Sequence, residues 1–101
     1  MANVTAATLP PDISPELLKR WLSDSRSHET LLGNIVSRFA QRYHSSLEEL
    51  ESRLARGEGS EHPDWEDSIE WRNAVEELQR TRLMRSLLEW LLHSNAHSTA
   101  F

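Results

Sequence analysis

After Pro63 the chain runs to its last residue without another proline or any glycine. Nothing in residues 62–93 therefore interrupts a helix. This stretch also holds Trp65, Trp71 and Trp90, three of the four tryptophans, and the densest leucine cluster. Pro63 suits a first helical position, where its missing N–H costs nothing. Asp64, Glu66 and Asp67 follow where carboxylates favour the helix dipole. Asn95 offers a C-terminal stop. Unbroken, such a span of roughly 30 residues is about 45 Å long.

The apolar residues of this stretch change face. Turning about 100° per residue from Trp65, that residue and Ile69 lie near about 20°, Trp71, Ala74, Val75 and Leu78 near about 230°, and Leu83, Met84, Leu87, Leu88 and Leu91 near about 70°. The switch falls across residues 79–82. Either the helix breaks there, or it stays straight and buries different sides at different heights. A straight helix needs partners on more than one side, and a short chain has little material to supply them.

The N-terminal part reads as shorter helices. Residues 1–13, with Pro10-Pro11, are expected to be a disordered or loosely docked tail. Ser14-Pro15-Glu16 is a helix start, with Ser as cap and Pro in the first turn. Leu17, Leu18, Trp21 and Leu22 give that helix its apolar face, and the serines of residues 23–27 are expected to end it. A second helix then carries Leu31, Leu32, Ile35, Val36 and Phe39. Gly33 lies inside it at a cost of about 1 kcal/mol relative to Ala, and is read as a point of close helix contact. Ser46 with Glu49 makes a capping box, which predicts a break near His44. The alternative is a continuous coiled-coil helix on Val36, Ala40, Tyr43, Leu47, Leu50 and Leu54. Residues 56–61 are a loop with Gly57 and Gly59. The expected fold is all-α: three to five helices in a hairpin or bundle, one helical domain over residues 14–94, a long C-terminal helix and a frayed end over residues 95–101.

The chemistry these residues offer is limited. A chain of 101 residues without cysteine has no disulfide, thiolate nucleophile or Cys-type zinc site. No apolar run approaches the roughly 20 residues of a membrane span, no signal peptide is evident, and a cytoplasmic location is expected. The net charge of −5 speaks against a stand-alone nucleic-acid binder. His62 with Asp64 or Asp67, and Glu66 with Glu70, are the nearest approaches to a metal site, and neither has ligand spacing that fixes geometry. No phosphate loop and no G-x-S-x-G nucleophile is present. No enzyme, cofactor or metal is expected.

Binding is the remaining role. Glu58, Glu61, Asp64, Glu66, Asp67 and Glu70 form an acidic run with no Lys or Arg between Arg56 and Arg72. Tryptophan anchors within a polar rim are a common interface arrangement. Trp65, Glu66, Asp67, Ile69, Glu70 and Trp71 are therefore the expected surface for a basic protein partner. Leu83, Leu87, Leu88 and Leu91 are the expected core or self-association surface of a homo-oligomer, a dimer being favoured. Residues 39–54 also match the small and apolar positions of a helix–turn–helix, which makes a transcriptional regulator one alternative and a helical subunit or adaptor of a larger assembly another. The would-be recognition helix carries Glu48, Glu49 and Glu51, which repel a polyanion.

Phe39-Ala40-Gln41-Arg42-Tyr43 leading to Ser46-Leu47-Glu48-Glu49-Leu50-Glu51, followed by Trp65-Glu66-Asp67-Ser68-Ile69-Glu70-Trp71, resembles short helical proteins of prokaryotes encoded beside a small toxin and presumed to be its antitoxin. Members of that group tend to have Gly after the aromatic residue, where this chain has His44. The resemblance implies a cytoplasmic protein that masks a toxin partner and has no catalytic residues of its own.

Overall fold

Ser14 and Pro15 start the first helix as their types predict. The Ser14 hydroxyl accepts the Leu17 N–H at 3.1 Å, and α1 then runs from Pro15 to Tyr43. The computed structural model describes residues 13–98, and side chains over residues 13–94. The stop expected at residues 23–27 does not occur, and α1 is one helix of 29 residues. Each serine costs only a fraction of a kcal/mol in a helix. Burial of Leu18 and Leu22 before the serines, and of Leu32 after them, outweighs that cost.

The break expected after Tyr43 is present. His44 takes a left-handed φ of 51° and turns the chain. Ser46 then caps α2, which covers Leu47–Ala55. Both halves of the capping box form: the Glu49 N–H donates to the Ser46 hydroxyl at 3.1 Å, and the Ser46 N–H donates to the Glu49 carboxylate at 2.9 Å. The continuous coiled-coil alternative is thereby excluded.

The third helix starts later than Pro63 predicts. His62 has extended backbone, and the Ser60 N–H donates to the Asp64 carboxylate at 3.1 Å. Glu61–Trp65 is consequently a single wide turn, and α3 covers Glu66–Ser98. Of the two readings for residues 79–82, the unbroken helix is the one observed. Asn95 does not stop it, because no glycine follows to close a left-handed cap. The helix continues to Ser98. The tail expected over residues 1–13, Ile13 apart, and the last three residues of the frayed end expected over residues 95–101 lie outside the described residues. Among the described residues the fold is all-α, with no strand.

These helices contribute to two compact units, one comprising Met1–His28 with Thr81–Phe101, the other Glu29–Arg80. In the first, Leu18, Leu22 and Leu88 form the buried cluster, with Ile13, Leu91 and Leu92 packed against it. Glu89 accepts from Arg26 at 3.0 Å and from Arg85 at 3.1 Å. In the second, Leu47, Leu50 and Trp71 are buried, and Val36, Phe39, Ala40, Tyr43, Leu54 and Val75 pack around them. Arg72 grips Glu51 through two hydrogen bonds of 3.0 and 2.6 Å, and holds the Glu51 carboxyl below its ordinary value.

Gly33 is not the close contact its position implied. A Cβ there would meet no atom within 4 Å beyond its chain neighbours and the backbone of its own helix. Gly33→Ala is expected to stabilise the chain by about 0.5–1 kcal/mol. A urea unfolding curve checks this; a midpoint that falls means another backbone does approach at that position.

Candidate interaction surfaces

The acidic run is divided between the interior and the surface. Asp67 is buried, and its carboxylate accepts from the Tyr43 hydroxyl at 2.6 Å and from Arg42 at 2.8 Å. Burial alone would raise the Asp67 carboxyl. The hydrogen bonds from Tyr43 and Arg42, with the Arg42 charge, outweigh burial and hold it below its ordinary value. Tyr43 is pushed well above the usual phenol range, by burial first and then by its hydrogen bond to Asp67. Asp64 accepts from the Ser60 N–H and, at 3.3 Å, from Tyr43. Asp64 and Asp67 thus organise the turn into α3. Glu66 is exposed and meets His62 one turn back, and Glu58 pairs with Arg56.

The two tryptophans at the start of α3 have opposite fates. Trp71 is 3% exposed and stacks on Phe39 and Tyr43, with ring centroids 5.8 and 6.1 Å away. It is therefore taken up by the core, together with Asp67, and neither presents itself to a partner. Trp65 is 53% exposed and Ile69 41%. Leu54, residues 57–61 and Trp65 line an open cleft of about 190 Å³. Its lining includes Glu58, whose carboxylate pairs with Arg56, and Glu61. Of the six residues expected to bind a partner, Trp65, Glu66, Ile69 and Glu70 are exposed.

The second surface lies on α3 in the other unit. Leu88 is buried, and Leu91 packs against its cluster, so these two belong to the core of their own chain. Leu83 is 72% exposed and Leu87 49%. Met84 and Trp90 are half-exposed as well. At about 100° per residue, Trp90, Leu87 and Met84 lie about −20°, +40° and +100° from Leu83, whereas Leu88 and Leu92 lie about +140° and +180° away. Leu83, Leu87 and Trp90 thus line the side away from the buried cluster, and Met84 lies at its edge beside Leu91, which at about +80° already packs against that cluster. Trp90 was legible as the next step of the 83, 87, 90 spacing but was not among the expected site residues. Exposed Trp21 on α1 and Leu31 had no such signal, because both lie among leucines that are buried.

A shallow depression of about 390 Å³ runs along α2, lined by Ser45, Glu48, Glu49, Ser52, Arg53 and Arg56. Its carboxylates include Glu49, which the Ser46 N–H and hydroxyl hold below the ordinary value. Among the described residues no group of three or more potential ligands gathers for a metal, and no helix is long and apolar enough to cross a membrane. Compared with protein-family models, curated proteins and solved structures, the chain matches none.

Proposed function

We propose that this chain is a non-enzymatic interaction protein, most concretely an antitoxin-like inhibitor that occludes a basic protein partner. The observation that carries the reading is the cleft beside Trp65: a half-exposed indole next to an apolar Leu54 wall, edged by Glu58 and Glu61. An Arg or Lys side chain entering there meets an aromatic ring for a cation–π contact and carboxylates for charge-assisted hydrogen bonds. Ile69, one helical turn from Trp65, and exposed Glu66 and Glu70 extend the surface. Occlusion then works by shielding a cationic site from its own anionic substrate. The alternative of DNA reading through α2 is weaker, because Glu48 and Glu49 are exposed on it and face a polyanion unfavourably.

The partner to test is the product of the reading frame adjacent to this gene. Trp65→Ala with Ile69→Ala is expected to weaken that complex by about 2–4 kcal/mol while leaving the helical content unchanged. Calorimetric titration measures it, with a low-salt mobility shift on the upstream DNA alongside. Equal affinity for wild type and double variant, or a DNA shift by the pure protein, ends the inhibitor reading.

A further inference from the structure

Over residues 83–94 the outer face of α3 bears no charge. The charged residues of that stretch, Arg85 and Glu89, turn about 200° and 240° from Leu83 and pair with each other, while Arg26 reaches Glu89 as well. The titratable His93 lies about 80° to the other side of Leu83. What remains on the face is Leu83, Met84, Ser86, Leu87, Trp90 and Ser94, with half-buried Leu91 at its edge.

We propose that this face is where a second copy of the chain packs, the two α3 helices crossing at Leu87. A two-fold interface sets a patch against itself, so a charge near the axis meets a like charge. This face escapes that penalty although each molecule carries a net charge of −5. A basic partner finds no carboxylate here to recognise. Residues 1–12 hold only Met1, Val4 and Leu9 as large apolar side chains, and Ile13, which leads into α1, packs against the Leu18, Leu22 and Leu88 cluster. A membrane surface is a poor match, because α3 has no lysine and Arg85, the one Arg or Lys of residues 83–94, is paired with Glu89.

The area is of the right order. Four large side chains about half in solvent leave on the order of 100 Å² each. With their flanks, two copies hide about 1,000 Å², near the lower bound for a specific interface. The dimer is accordingly concentration-dependent rather than obligate.

Sedimentation equilibrium of the full chain tests this. Wild type is expected to approach twice 11.7 kDa as concentration rises. Leu87→Glu is expected to weaken the dimer about a hundredfold or more with far-UV helicity retained, and Leu83→Ser serves as a milder second variant. Leu31→Glu, which changes an exposed leucine of the other unit, leaves the mass unchanged. The chain has no cysteine, so Leu87→Cys is expected to yield a covalent dimer on mild oxidation. A wild type that stays monomeric, a dimer indifferent to Leu87→Glu and Leu83→Ser, or a monomer that binds phosphatidylcholine–phosphatidylglycerol vesicles through this face overturns the proposal. Trp65→Ala leaves the dimer intact, so this test and that of the partner cleft fail separately.

Discussion

Trp71→Ala is expected to cost about 3–5 kcal/mol, a large share of the folding free energy of a small domain, which is about 5–15 kcal/mol. The indole is 3% exposed and is the one large ring joining α1, α2 and α3 in the Glu29–Arg80 unit. It stacks on Phe39 and Tyr43 and shares a buried cluster with Leu47 and Leu50. Alanine leaves a cavity that these neighbours fill only in part, because α2 is tied in place by its capping box and by Arg72–Glu51. Trp71→Phe retains ring stacking and is expected to cost about half as much. Urea unfolding followed by circular dichroism measures both. A midpoint for Trp71→Ala within error of wild type would mean that Trp71 is not the keystone of this unit, and would return it to the set of partner anchors.

The contrast between Trp65 and Trp71 marks where sequence reading runs out. Both tryptophans lie in the same acidic context at the start of one helix. What separates them is Phe39 and Tyr43, brought up from the far side of a turn whose hinge is His44. The turn itself was legible, since Ser46 and Glu49 specify a cap within four residues, although a left-handed His44 replaces the easier glycine at a cost of about 1 kcal/mol. The opposite error occurred at residues 23–27. There the local preference of serine for caps and turns was real but small, and distant burial of Leu18, Leu22 and Leu32 overrode it. For α3, the angular bookkeeping identified two apolar sides; it did not say which one its own chain would cover. That was decided by α1, whose leucines took the side of Leu88 and left Leu83 and Leu87 outside.

Asp67 is expected to give the chain an acid-sensitive stability that no other carboxylate of the run supplies in the same way. It is 6% exposed and is satisfied by Tyr43 and Arg42. Asp67→Ala leaves the Tyr43 phenol only its longer contact to Asp64 and leaves the exposed Arg42 guanidinium to solvent, which costs about 2 kcal/mol. Asp67→Asn keeps an acceptor for Tyr43 but removes the charge facing Arg42, at about 1–2 kcal/mol. The folded-state carboxyl titrates below its ordinary value of 3.8, so the unfolded chain takes up the proton first as pH falls. The stabilisation is therefore complete above the ordinary value and is lost as pH drops through the folded one. Tyr43 has the opposite sign. Its phenol is raised above the ordinary 10.0, so its stabilisation is present below that value and is lost as pH rises beyond it, where the unfolded chain ionises and the folded one resists. Wild type is expected to lose stability at both ends. Asp67→Asn flattens the acid limb below about pH 4 and keeps part of the alkaline limb, since burial is the first cause of the Tyr43 shift. Tyr43→Phe flattens the alkaline limb. Urea midpoints measured across pH decide it: an acid limb in Asp67→Asn parallel to that of wild type would remove Asp67 as the group that couples protons to this fold.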